Sequence, residues 1–221
     1  MRLVKIFGLA ATAAVAVMAF VGASSAMAVT ELEEVVLCNQ NTSPCPAGHD
    51  FASGTVLHGE LKTGTKALLL SSIPIECLSS TTLGTTTSLL AHGEITALTF
   101  SNCKTGTGVS CTVTTEHLNY LVKGELNAAH NGYEVLVTAL GANGQPQAHV
   151  LCGTVVDCKY GESNVLLTAE PETGDTVLSV LQELAGVGPL CGIIAHPIWH
   201  AKYLTRCLEG TNLVGCWLEM E

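Results

Sequence analysis

Short segments in which apolar and polar residues alternate recur along the chain, separated by Gly, Asn, Pro or Ser. Residues 55–61, 67–70, 94–100, 120–126, 133–137, 165–168 and 198–204 are rich in Val, Leu, Ile, Thr and aromatics. Punctuation at intervals of roughly ten residues is the signature of antiparallel strands. In 120–126, Tyr120, Val122 and Leu126 fall on one face while Lys123 and Glu125 fall on the other. Likewise Trp199, Ala201 and Tyr203 oppose His200, Lys202 and Arg206. A period of two with one apolar face predicts a sheet buried on one side and wet on the other. Asn131-Gly132, inside Ala129-His130-Asn131-Gly132-Tyr133, is the strongest short hairpin signal. Between 176 and 185 the pattern supports two assignments. Val177, Leu178, Leu181 and Leu184 keep helical spacing, whereas β-branched Thr176, Val177 and Val180 suit a strand. With no tandem repeat and no domain-separating linker, residues 29–221 are expected to form a single all-β domain. Its predicted form is an antiparallel β-sandwich or a closed β-barrel stapled by disulfides.

The first 28 residues break this pattern. Arg2 and Lys5 precede an uncharged, Ala- and Val-rich run from Ile6 to Val21, and Ala26-Met27-Ala28 supplies small residues at an A-x-A site. This is the build of a signal peptide, so cleavage is expected after Ala28 and the mature chain is expected to be secreted and extracellular. The apolar run is short and alanine-rich for a bilayer span, and no second stretch is long enough for one, so no membrane span is expected in the mature form. A lipid anchor would need a cysteine directly after the run, but Cys38 lies ten residues beyond Ala28.

An export signal changes the reading of the ten cysteines: Cys38, Cys45, Cys77, Cys103, Cys111, Cys152, Cys158, Cys191, Cys207 and Cys216. In an oxidising compartment an even count reads as disulfides, and no C-x-x-C pair points to zinc. Four intervals are short and hold turn formers, among them Gly106 and Gly108, Gly153, and Gly210 and Gly215. Hairpin-closing pairs 38–45, 103–111, 152–158 and 207–216 are therefore expected, leaving Cys77 to join Cys191.

Formal net charge is −10, and removal of the leader would take away two of nine basic residues and none of the 19 acidic ones. Such a surface disfavours nucleic acid as a partner. Only 13% of residues are charged against 48% apolar, which argues for a packed domain. No motif specifies a reaction, and no catalytic residue, cofactor or metal is assigned. His196 and His200 would lie about 13 Å apart along a strand, too far to share an ion. There is no G-x-S-x-G elbow; Asp50, Asp157 and Asp175 are the only mature aspartates, and adjacent His49-Asp50 reads as a surface loop. Glu94, Glu125 and Glu134 read as a solvated strand face. Glu170, Glu172 and Asp175 lack the ligand order of a calcium loop, and Lys104-Thr105-Gly106-Thr107-Gly108 reads as a hairpin tip rather than a phosphate cradle. Trp199 and Trp217 read as core.

Several segments together resemble a group of exported, cysteine-containing β proteins of soil actinobacteria, which are uncharacterised. These are Val36-Leu37-Cys38, Cys45-Pro46, Gly54-Thr55, Ile75-Glu76-Cys77-Leu78-Ser79-Ser80, Gly93-Glu94-Ile95, Phe100-Ser101-Asn102-Cys103, Cys158-Lys159-Tyr160 and Trp199-His200-Ala201-Lys202-Tyr203. The resemblance implies secretion and a common β fold and transfers no activity; the tail from Cys207 to Cys216 stands outside its pattern. The expected role is a secreted non-enzymatic protein, an envelope-associated structural or binding module whose partner is a protein, the cell envelope or a small molecule. The alternative is a secreted hydrolase whose carboxylates and histidines meet only in the fold. A concave pocket with perturbed polar groups would favour the hydrolase, and a wide apolar cavity would favour small-ligand binding.

Overall fold

A computed structural model describes residues 34–138, 147–191, 194 and 196–221. In chain order its strands are β1 (Val35–Cys38), β2 (Val56–Leu61), β3 (Ala67–Leu70), β4 (Ile75–Thr86), β5 (His92–Thr105), β6 (Ser110–Glu116), β7 (Tyr120–Leu126) and β8 (Tyr133–Thr138). They continue as β9 (Gln147–Cys152), β10 (Val156–Gly161), β11 (Asn164–Glu172), β12 (Asp175–Glu183), β13 (Ala185–Val187), β14 (Ile198–Glu209), β15 (Asn212–Gly215) and β16 (Trp217–Met220). Among the described residues there is no helix, and hence none long and apolar enough to cross a membrane. The segment around 176–185 is strand. It pairs with β11 on one side and with β14 on the other, and its β-branched residues suit that double ladder.

Every ladder is antiparallel. Pairings run from β5 through β7, β8, β11, β12, β14, β2 and β4 back to β5. This closes an eight-stranded barrel, one of the two predicted forms. A second path leaves β5 through β6, β9, β10 and β13. Because β13 follows β12 with only Leu184 between them, and β3 bridges β14 and β4, the long strands β4, β5, β12 and β14 wall both rings.

Interior faces follow the predicted alternation where the strands are regular. Tyr120, Val122 and Gly124 of β7 and Trp199 and Tyr203 of β14 line the interior, while Lys123 lies outside and ion-pairs with Glu125 at 2.9 Å. In β5 the period slips. Leu83 pairs with Ala97 but Gly84 with Ile95, so Thr96 is an extra residue. The bulge carries the interior set from Gly93 and Ile95 to Leu98 and Phe100. A second slip falls at Asn102, whose φ is +51°, and beyond it Cys103 and Thr105 are buried. Gly84 allows the close strand approach at the bulge, since a Cβ there would stand 2.7 Å from the Glu94 carbonyl oxygen. The β7–β8 hairpin is present, but its loop spans 127–132 and is knitted by Asn127, whose Oδ1 accepts from the backbone N–H of Ala129 and of Asn131. Asn131-Gly132 is thus not a two-residue turn, and the positive φ falls at His130 instead.

All ten cysteines are paired, as expected in an oxidising, extracytoplasmic compartment. Pairs 38–45 and 207–216 are those predicted. The other three predicted pairs, 103–111, 152–158 and 77–191, are replaced by 77–103, 111–152 and 158–191. Cys103 stands opposite Cys111 across one ladder but also opposite Cys77 across the other, where the bond forms. Within the β9–β10 hairpin Cys152 opposes Val156 and Cys158 opposes Val150, so these two cysteines are out of register. The loop after β13 folds over β10 and brings Cys191 to Cys158.

Both ends of the barrel are plugged. The β1–β16 ribbon covers the end where β5 and β12 begin, and disulfide 207–216 holds it to β14. Thr176 Oγ1 donates to the Cys216 carbonyl oxygen at 2.7 Å. At the other end Ile75, Val150, Val156, Leu184 and Ile194 pack around disulfides 111–152 and 158–191.

Candidate functional site

Between the two plugs lies a cavity of about 210 Å³. An eight-stranded barrel encloses just enough space to be filled by its own side chains or to hold one small ligand. Here short residues point inward, Val122, Val135, Val137 and Val165 among them, and they do not fill the axis. Leu98, Phe100 and Trp199 complete an apolar wall in which there is no Lys, Arg, Asp or Glu among the described residues. The volume exceeds the roughly 150 Å³ of an apolar cavity that stays dry and takes up benzene.

The polar groups of this wall are few, and most are satisfied. Tyr203 is 4% exposed and its hydroxyl meets Ser80 Oγ at 2.9 Å. Thr115 donates to the Leu98 carbonyl, and Tyr120 to the Glu116 carbonyl. Tyr160, on β10, is 2% exposed, and its hydroxyl is buried with no hydrogen-bond partner among the described residues; Thr205 Oγ1 shares that state. Burial pushes the Tyr160 phenol up to about 12 and raises Tyr203 and Tyr120 as well. All three are neutral at physiological pH, able to donate a hydrogen bond but not to carry charge.

A second hollow of about 160 Å³ lies beside the ribbon, lined by Asn41, Ser43, Tyr133, Trp217 and Glu219. Glu219 is 5% exposed; burial raises its pKa, and Tyr133 donates to its Oε2 at 3.3 Å. The Trp217 indole N–H is buried without an acceptor among the described residues. Among the described residues Glu219 is the one carboxyl lining this hollow, whereas glycoside hydrolysis by paired carboxylates uses two.

Of the residues weighed from sequence, Glu125 and Glu134 are brought side by side, on the outer wall, and the others do not gather into one site. Asp175 forms a two-point pair with Arg206, Nε to Oδ1 at 2.7 Å and Nη2 to Oδ2 at 3.1 Å, and Glu172 pairs with Lys62 at 2.6 Å. The acidic turn is therefore committed to two separate cations. Glu125 and Glu134 oppose one another across β7 and β8 on the outer wall, and Glu94 lies on β5. His196 faces Glu183 at 3.3 Å, His200 lies on β14, and His49 Nδ1 bonds to Asn39 Oδ1 at 2.8 Å. Asp157 meets His149 Nε2 at 2.7 Å on the outer β9–β10 wall, a pair that residue spacing did not reveal. Among the described residues no three His, Cys, Asp or Glu gather as a metal site. Tyr160 entered the sequence reading only within Cys158-Lys159-Tyr160; its position two beyond Cys158 and four beyond Val156 is the signal for an inward face. Comparison with protein-family models, curated proteins and solved structures gives no match.

Proposed function

We propose that the protein is exported, has no enzymatic activity of its own, and holds a small apolar molecule inside its barrel. The apolar cavity inside the barrel carries this reading, because inward side chains too short to meet across the axis forfeit dispersion contacts that a small apolar molecule would supply. Export is supported by the leader up to Ala28 and by the five disulfides, and the resemblance to exported actinobacterial β proteins points the same way. Binding would be driven by transfer of apolar surface from water, so specificity would rest on shape.

Calorimetric titration of the oxidised protein with p-ethyltoluene tests it. One saturable site with a negative heat-capacity change is expected. Ala148→Phe, which places a ring in the cavity, is expected to abolish that site while leaving the far-ultraviolet circular dichroism unchanged. Absence of saturable binding by the parent protein defeats the reading.

A further inference from the structure

Resting on that reading, we infer that the ligand is an unbranched alkyl chain lying along the barrel axis, not a compact or branched molecule. The extent of the cavity points there. Leu37 and Leu218 of the ribbon border it at one end, and Val150 and Leu184 border it at the other. On β14 the wall runs from Trp199, in the stretch that pairs with β3, to Thr205, which pairs with Thr176 beneath the ribbon. The six steps from Trp199 to Thr205 advance about 20 Å along the strand at about 3.3 Å each. Strands of such a barrel lean roughly 35–45° from its axis, so the hollow runs about 15 Å along that axis.

Length and volume together set the width. About 210 Å³ is less than half as large again as the roughly 150 Å³ hollow that holds one benzene ring. Spread between the two plugs, so modest a volume leaves a narrow bore. Short side chains keep it open at more than one level, since inward Val122 pairs with Val137 and inward Gly124 with Val135. A straight chain of single bonds advances about 3.3–3.6 Å for every three bonds, so about 15 Å takes in about thirteen. An alkyl chain of that length sets every methylene against apolar wall. A globular molecule with the same number of carbons meets the wall at one level and leaves the rest of the bore empty. Because both ends are plugged, the chain belongs to a free molecule that lies wholly inside.

Calorimetric titration of the oxidised protein with butan-1-ol, hexan-1-ol, octan-1-ol and decan-1-ol, beside adamantan-1-ol and the slender p-ethyltoluene, tests the shape. Every alcohol carries one hydroxyl, so the cost of burying it cancels between them. Affinity is expected to rise roughly three- to four-fold with each added methylene up to decan-1-ol. Adamantan-1-ol packs as many carbons as decan-1-ol into a compact cage, and it is expected to bind at least roughly tenfold more weakly. A rise that stops at hexan-1-ol, or a cage alcohol that binds within tenfold of decan-1-ol, overturns the inference. Saturable binding of p-ethyltoluene then leaves the apolar-ligand reading standing. If none of the six compounds binds, that reading and this inference fall together.

Discussion

Glu219 shows how much one side chain in this fold can report. Its carboxyl lies under the β1–β16 ribbon, and burial holds its pKa above the ordinary value of 4.5. The folded protein therefore binds this proton more tightly than the unfolded chain does. Above its raised pKa the buried charge opposes folding, and the opposition fades as pH falls through that value towards 4.5. Glu219→Gln keeps an acceptor for Tyr133 and removes the charge. The variant should be more stable than the parent at neutral pH, with the gap closing as pH drops into the ordinary carboxylate range, as read by urea midpoints at each pH. A gap that widens in acid would show that the carboxylate helps the ribbon to dock. Sequence reading did not single out Glu219 or Tyr160, because a residue's value here depends on what faces it across the barrel. A glutamate two positions from the C-terminus and a tyrosine beside Lys159 both look ordinary along the chain.

At the scale of elements, alternation carried the reading far where the ladder is regular and failed where the chain breaks register. Strands β2, β3, β7, β8 and β14 lie close to where the polar pattern placed them, and the inward faces of β7 and β14 are those expected. In β4 and β5, Thr96 and Asn102 shift the period, so no single alternation describes either strand. Disulfide pairing failed for a related reason. A hairpin brings two cysteines together only when they oppose each other, and the neighbour on the far side of a strand competes for the same sulfur. Tryptic mapping without reduction checks the pairing directly. Cleavage after Lys66, Lys104, Lys123, Lys159 and Lys202 should release 67–104 as a free peptide, because Cys77 and Cys103 bond within it. Peptides 105–123, 124–159 and 160–202 should remain joined as one species through 111–152 and 158–191. A covalent link from 67–104 to 105–123 or to 160–202 would restore the hairpin scheme instead.

For the molecule as a whole, the question is whether two stacked rings behave as one unit. Four long strands belong to both rings, so melting either ring strips ladder partners from the other. Closure also removes the free edges through which open sheets fray and aggregate. The two tryptophans are placed to test the coupling. Trp199 lies in the stretch of β14 that pairs with β3, near the lower ring, while Trp217 lies in the ribbon that plugs the opposite end. Urea unfolding of Trp217→Phe reports Trp199 alone, and that of Trp199→Phe reports Trp217 alone. Once each variant's own stability is corrected by circular dichroism, the fluorescence and backbone transitions should coincide, as a two-state unit requires. If Trp217 fluorescence changes well before the backbone signal, the ribbon opens as an independent plug. The route to the interior would then run through that end of the barrel, and ligand saturation should draw the two transitions back together, since a molecule bound in the cavity stabilises only the closed state.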